Sequence, residues 1–140
     1  MRIIKFRAWD KSFEEMNYSG NFGAGSSADL ITISFNGSIN VQNAYGLDFG
    51  QRNPAFDPPV DNFELMQFTG LTDKNGKEVY EGDIVSTKHQ PLAKVVWHSE
   101  FTTFCTEEID EISGIYQFTI KPSETEIIGN IYENPELLTT

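Results

Sequence analysis

Short runs of β-forming residues, separated by turn signals about every eight to twelve residues, constrain this chain most. The clearest pair, Leu30–Phe35 and Ser38–Val41, flanks the dipeptide Asn36-Gly37. Because Asn and Gly accept the positive φ of a two-residue turn, this segment predicts a β-hairpin. Later runs repeat the pattern, namely Asp83–Val85, Lys94–His98, Phe101–Thr106, Ile115–Ile120 and Glu126–Tyr132. We therefore expect a mainly β fold of short strands and hairpins.

The organisation of the chain follows from the same signals. The C-terminal half contains about five predicted strands, which is enough for a small SH3-like barrel. Pro135–Leu138 predicts a minor helical turn, because proline is tolerated at the first helical position. Prolines and glycines within 46–60 indicate a long loop or linker. We expect 1–140 to form a single domain with two sub-lobes, a β-hairpin lobe at 1–60 and a barrel-like lobe at 61–140.

The N-terminal stretch alternates apolar and basic residues from Ile4 to Ala8. A period of two predicts a half-buried strand, with Ile4, Phe6 and Ala8 on its buried face. The basic residues Lys5 and Arg7 then lie on the solvated face.

Charge and composition exclude several classes of protein. Ten basic and twenty-one acidic residues give a net charge of −11, which opposes the neutralisation of nucleic-acid phosphates. No apolar run approaches the roughly 20 residues that a membrane-spanning helix needs. A single cysteine, Cys105, rules out an internal disulfide and fits a reducing compartment. These features predict a soluble cytoplasmic protein.

One segment has the first two ligands of a calcium loop, Asp73 and Asn75. Such a loop also needs an oxygen ligand at its fifth position, glycine at its sixth and an acid at its twelfth. Lys77, Glu78 and Ile84 occupy these positions, so we reject the site. The same residues instead predict a type I′ turn at Asn75-Gly76.

Reactive residues are few. Glu81 and Asp83 are two residues apart, so their carboxylates can converge on one side of an extended chain, although Gly-Asp is also common where strands begin. His89, His98 and Cys105 are spaced by nine and seven residues, which matches no standard zinc pattern. We expect no catalytic site, metal or cofactor. An enzyme that uses Glu81, Asp83 or His98 is the less favoured alternative.

Two features point to interactions. The acidic run Glu107, Glu108, Asp110 and Glu111 is either a solvated strand edge or a patch for a basic host protein. The solvated edge is the favoured interpretation. Eleven Phe, five Tyr and two Trp exceed the needs of a small barrel. Because interfaces favour aromatic residues, this surplus predicts a homo-oligomer.

Four segments of the chain resemble the YopX family of phage and prophage proteins. They occur in order over nearly the whole length, whereas residues 19–60 do not carry the match. The segments are IKFRAWDK (Ile4–Lys11), LMQFTGLTDKNGKEVYEGDIV (Leu65–Val85), VVWHSEF (Val95–Phe101) and EIIGNIYENPELL (Glu126–Leu138).

The resemblance implies an accessory protein that acts in the bacterial host cytoplasm, with a β-rich fold that forms homo-oligomers. It supplies no catalytic residues. Our leading hypothesis is thus a non-enzymatic, oligomeric interaction protein. The alternative is a β-barrel module that binds single-stranded nucleic acid through exposed aromatics and a basic groove. That groove would contain Arg2, Lys5, Arg7, Lys88 and Lys94.

Overall fold

The computed structural model describes residues 3–11, 14–18, 63–110 and 114–139, and the backbone alone at 30–33 and 39–42. The fold is mainly β, as the sequence predicts. The strands of the described residues are β1 (Phe6–Asp10), β2 (Glu15–Tyr18), β3 (Leu30–Ile33), β4 (Ile39–Gln42), β5 (Phe63–Thr72), β6 (Glu78–Tyr80), β7 (Asp83–Thr87), β8 (Ala93–His98), β9 (Thr103–Glu108), β10 (Tyr116–Gln117) and β11 (Thr125–Asn130). Two 3₁₀ turns, Pro122–Glu124 and Pro135–Leu138, accompany them, and the second confirms the predicted helical turn.

The chain divides into two compact units. One unit comprises 1–5 together with 66–140, and we call it the discontinuous unit. The other comprises 6–65, and we call it the inserted unit.

The inserted unit contains two antiparallel strand pairs. β1 pairs with β2 in a register that sets Arg7 opposite Tyr18. β3 pairs with β4, with Ile33 opposite Ile39, and this confirms the predicted hairpin. Its turn, Asn36-Gly37, lies outside the described residues.

The burial of β1 differs from the predicted alternation. Ile4 is 64% exposed, so it does not share a buried face with Ala8. Arg7 and Ala8 are neighbours that point to opposite faces, yet both are buried. The prediction of one solvated basic face is therefore wrong, because both faces of β1 are covered. Ala8 packs with Phe63 and Leu65 in the core of this unit.

The discontinuous unit contains a five-stranded antiparallel sheet in the order β10-β9-β8-β7-β11. The sheet is a curled half-barrel, so the predicted SH3-like barrel is present only in this open form. The apolar core is formed by Val79, Val85, Ala93 and Val95. Each fully buried valine contributes about 1.5–2 kcal/mol through the apolar surface that it removes from water.

One predicted strand is much shorter than its sequence pattern. Ile115–Ile120 predicts a six-residue strand, whereas β10 contains only Tyr116 and Gln117. Ile120 packs against the apolar core instead of continuing the ladder with β9. The pairing of β10 with β9 therefore ends at Gln117.

Candidate interaction site

The outer face of the half-barrel is defined by the alternation of side chains along β8. Ala93 and Val95 point into the core, so Lys94, Val96 and His98 point to the opposite face. The register sets Lys94 opposite Glu107 on β9. Side chains directly opposite each other share a face of the sheet, so this outer face extends across β9.

A polar row crosses three strands on this face. The Lys94 ammonium lies 3.1 Å from Oε2 of Glu107. Glu107 also lies opposite Tyr116 on β10 and accepts a hydrogen bond from its hydroxyl. The negative charge of Glu107 raises the pKa of Tyr116 above its usual value, and burial and this hydrogen bond act in the same direction. The carboxylate of Glu107 is thus held by groups on both neighbouring strands.

Four rings at the end of this face form the aromatic cluster, which consists of His98, Phe101, Tyr116 and Phe118. The His98 ring centroid lies 4.9–5.2 Å from the other three, and the Phe101–Phe118 centroids lie 4.8 Å apart. These separations are typical of favourable aromatic pairs. Phe101 is 62% exposed and Phe118 is 43% exposed. The cluster therefore presents contiguous apolar surface to solvent, which is typical of interaction sites.

The sheet and one strained turn bring these rings together. His98 ends β8 and lies opposite Thr103, the first residue of β9. The intervening turn carries Phe101 and includes Thr102 at a φ of 47°, which is unfavourable for a β-branched residue. Nδ1 of His98 is buried and makes no hydrogen bond within the described part of the chain.

Sequence reasoning did not identify the aromatic cluster. Trp97 and His98 are adjacent on β8, so their side chains point to opposite faces of the sheet. Trp97 is 46% exposed and contacts Phe104 edge-on, with ring centroids 5.0 Å apart, whereas His98 is half-buried. The available signal was the alternation with Ala93 and Val95, which already assigns His98 to the outer face.

Cys105 lies opposite Val96, and its side chain is fully buried. Burial raises the pKa of the Cys105 thiol, and the charge of Glu107 raises it further. A thiol with a raised pKa is a poor nucleophile at neutral pH. The structure thus assigns Cys105 to packing.

The predicted acidic patch is divided between the two faces of the sheet. Glu107 lies on the outer face and is paired with Lys94, whereas Glu108, the next residue of β9, points to the other face. Asp110 is exposed beyond the end of β9. Glu111 lies outside the described residues. A role of these residues as a single interaction patch stays a prediction.

The predicted carboxylate pair is separated by burial. Asp83 is 2% exposed, and its Oδ2 accepts a hydrogen bond of 2.8 Å from the Tyr80 N–H. Between the two acids, Gly82 has a φ of +86° and donates its N–H to the Val95 carbonyl. Glu81 is partly exposed. Asp83 therefore stabilises the turn that leads into β7.

The turn at Asn75-Gly76 is not the predicted type I′ turn. That type needs a positive φ at both central residues, but among the described non-glycine residues Asn75 is not one with positive φ. The Gly76 N–H donates to the Asp73 carbonyl, and Asp73 and Lys77 close a three-residue loop. Gly76, at a φ of +79°, fits the type I turn plus G1 bulge found in such loops.

Asp73 determines this choice of turn. Its Oδ1 accepts the N–H groups of Asn75 and Lys77, each at 2.9 Å. Its Oδ2 accepts the N–H of Ile127 on β11 at 3.1 Å. Burial raises the pKa of Asp73, but these backbone donors outweigh burial and hold the pKa below its ordinary value. The carboxylate is fully used within the fold, which agrees with the rejection of a calcium site.

The residues proposed for a basic groove are mostly paired or buried. Lys5 forms an ion pair with Glu78, and Lys94 pairs with Glu107. Arg7 is 4% exposed, and Lys88 is exposed. Arg2 lies outside the described residues. The pairing of the lysines leaves little positive charge on this part of the surface for a phosphate backbone.

Neither a metal centre nor a membrane-spanning helix is found in the part of the chain that the structure describes. No group of three or more His, Cys, Asp or Glu side chains within it is arranged to hold a metal ion. No helix within it has the length and apolarity needed to cross a bilayer.

The fold and the aromatic cluster define a small β-sheet protein with an exposed aromatic surface. The family model described as YopX protein matches residues 5–139, and the chain therefore belongs to the YopX family. This confirms the resemblance seen in the sequence.

Two solved structures are similar over nearly their whole length. Protein EF1440 from Enterococcus faecalis is 28% identical, with a TM-score of 0.56, and the match covers 99% of each chain. The yopX protein from Bacillus subtilis is 22% identical, with a TM-score of 0.59, and the match covers 96% of this chain and 95% of that one. The second likeness shows the fold alone. No curated protein matches this chain.

Proposed function

We propose that this protein is a non-enzymatic interaction protein that acts as a homo-oligomer in the cytoplasm of a bacterium carrying the corresponding phage or prophage. The observation that carries the interaction part of the proposal is the aromatic cluster. A ring such as Phe101, which is 62% exposed, gains stability when a partner covers it, because apolar surface then leaves water.

Exposed apolar residues outside the aromatic cluster support self-association. Ile3 and Ile4 are each more than 60% exposed, and Ile128 and Leu138 are also exposed. Specific interfaces bury about 800 Å² of surface on each partner, with an apolar centre and a polar rim. These residues provide apolar centres for contacts between copies of the chain.

The reactive residues support a role without catalysis. Asp83 is held by a backbone N–H, and Cys105 is buried with a raised pKa. A general acid, base or nucleophile has to reach its substrate and exchange protons near the working pH. Asp83 and Cys105 instead serve the turn and the packing of the sheet.

Light scattering coupled to size-exclusion chromatography tests the oligomer. The monomer has a mass of 15.8 kDa, and we expect a single peak at a whole multiple of this mass. The mass should persist on dilution from about 100 µM to about 5 µM, because obligate interfaces are large and apolar. A peak at the monomer mass across this range would contradict the oligomeric part of the proposal.

The second candidate, a module that binds single-stranded nucleic acid, rests on the same exposed rings. Phe101 and Phe118 offer faces on which bases can stack. The paired lysines Lys5 and Lys94 weigh against it. A gel shift with a labelled oligothymidine at low salt discriminates the two functions. Absence of a shift at micromolar protein removes this candidate.

A further inference from the structure

We propose that the aromatic cluster binds an arginine-rich, cationic segment of a partner protein. The inference rests on the proposed interaction function and adds the chemistry of the partner. Three properties of the surface support it: its charge, the exposure of its rings and the unsuitability of other occupants.

The charge beside the aromatic cluster is acidic. Glu100, the residue directly before Phe101, is exposed, and the outer face carries Glu107 opposite Tyr116. Lys94 and Glu107 neutralise each other on this face, so the local negative charge comes from Glu100. The whole chain has a net charge of −11, which attracts cationic partners over a longer range.

The arrangement of the rings suits a cation. Phe101 and Phe118 meet at 60°, and the His98 and Tyr116 rings are nearly perpendicular at 89°. Ring faces therefore point in several directions, and the exposed ones carry the negative side of the aromatic quadrupole. A cation is attracted when it lies within about 6 Å of a ring centroid. Arginine fits better than lysine, because its planar and weakly hydrated guanidinium stacks on aromatic faces.

Other occupants fit this surface less well. A second copy of the chain in a two-fold contact would bring the same surface on both copies together, and with it the Glu100 carboxylate of each copy. Nucleic acid would place phosphates beside the same carboxylate. A cationic peptide segment relieves both problems, because it neutralises the carboxylate while its guanidinium groups cover the rings.

Fluorescence anisotropy of the full chain at 150 mM salt tests the proposal. The probes are a labelled peptide of six arginines spaced by Gly-Ser and the corresponding lysine peptide. The double variant Phe101→Leu, Phe118→Leu keeps apolar bulk but removes the ring faces. We expect it to weaken arginine-peptide binding about five- to tenfold, because each exposed cation–π contact is modest. Its matched control, Ile4→Leu, changes an exposed apolar side chain outside the aromatic cluster and should not alter binding.

A second pair of variants tests the charge. Glu100→Gln removes one carboxylate beside Phe101 and should weaken binding about two- to threefold. Glu136→Gln changes the net charge equally at an exposed position in the C-terminal 3₁₀ turn and should have no such effect. The wild-type chain should also bind the arginine peptide more tightly than the lysine peptide.

Three results would overturn the inference. The first is that the wild-type chain forms an oligomer but does not bind the arginine peptide. This result would contradict the inference but not the proposed oligomeric function. The second is equal weakening by the variants and their controls, which indicates attraction by net charge alone. The third is loss of the oligomer in the double phenylalanine variant, which assigns the aromatic cluster to contacts between copies. A monomeric wild type that binds the arginine peptide through the rings contradicts only the oligomeric proposal.

Discussion

Replacement of Asp73 by asparagine should strongly destabilise the discontinuous unit, although the two side chains have nearly the same size. The Asp73 carboxylate is 4% exposed and accepts three backbone N–H groups, from Asn75, Lys77 and Ile127. Hydrogen bonds to a charged group contribute about 1.5–3 kcal/mol each. The amide of the Asp73→Asn variant keeps one oxygen for the turn but directs an NH₂ group at the Ile127 N–H. We expect a loss of about 2–3 kcal/mol from one broken and two weakened bonds.

Urea unfolding followed by circular dichroism measures this loss, and a parallel melting experiment should show a decrease of roughly 8 °C for a chain of this size. Glu126→Gln is the matched control. It makes the same acid-to-amide change beside Ile127, but Glu126 is partly exposed and forms a surface ion pair with Lys74. Such pairs contribute about 0–1 kcal/mol. Equal effects of the two variants, or an Asp73→Asn loss below about 0.5 kcal/mol, would refute the assigned role of Asp73.

The dependence on pH gives a second readout for Asp73. Its pKa in the folded chain lies below the ordinary value of 3.8. The stabilisation from its charge is therefore fully present above about pH 3.8 and is lost as the pH falls through the lower pKa of the folded state. The stability difference between wild type and Asp73→Asn should be constant near neutral pH and shrink in this acid range. A constant difference down to pH 2 would contradict the charged hydrogen bonds.

Three further predictions concern the sheet. Gly82→Ala should destabilise the chain more than Gly70→Ala. Both glycines have a φ near +90°, so the backbone strain is the same in both variants. A Cβ at Gly82 would lie 3.1 Å from Sδ of Met66, whereas a Cβ at Gly70 would have open space around it. The difference, about 1 kcal/mol by urea unfolding, isolates the packing clash, and equal losses would exclude it. Cys105 should react with Ellman's reagent at least about 100-fold faster in denaturant than in the native chain, and rapid native labelling would contradict its burial. Thr102→Gly should stabilise by about 0.5–1 kcal/mol by relieving a φ of 47°, and a loss of stability in thermal unfolding would argue against strain there.

The sequence predicted local features where local chemistry decides the outcome. The β3–β4 hairpin and the helical turn at Pro135–Leu138 follow from turn residues and from the position of a proline. The turn at Asn75-Gly76 was predicted with the wrong geometry. A hydrogen bond from Ile127, 54 residues away, helps to hold the Asp73 side chain in place, and no local pattern reports such a contact.

The candidate site was hidden for a similar reason. His98 and Phe101 lie in one stretch of the chain and Tyr116 and Phe118 in another, and the register of β8, β9 and β10 makes them neighbours. The aromatic surplus predicted a homo-oligomer, which stays a prediction, and it did not indicate which rings are exposed. The acidic run was visible in the sequence, but the period of two in β9 divides Glu107 from Glu108.

The path of the chain through its two units affects the order of folding during synthesis. The Lys5 carbonyl accepts the N–H of Phe68. Residues 1–5 can therefore pack with the rest of the discontinuous unit only after the ribosome has added about sixty further residues. Closing a free loop of this length costs about 3–4 kcal/mol in chain entropy. The inserted unit reduces that cost, because Ala8 packs with Phe63 and Leu65 and so holds the two ends of the loop together. A growing chain that folds 6–65 first delivers Lys5 and Phe68 to each other as near neighbours.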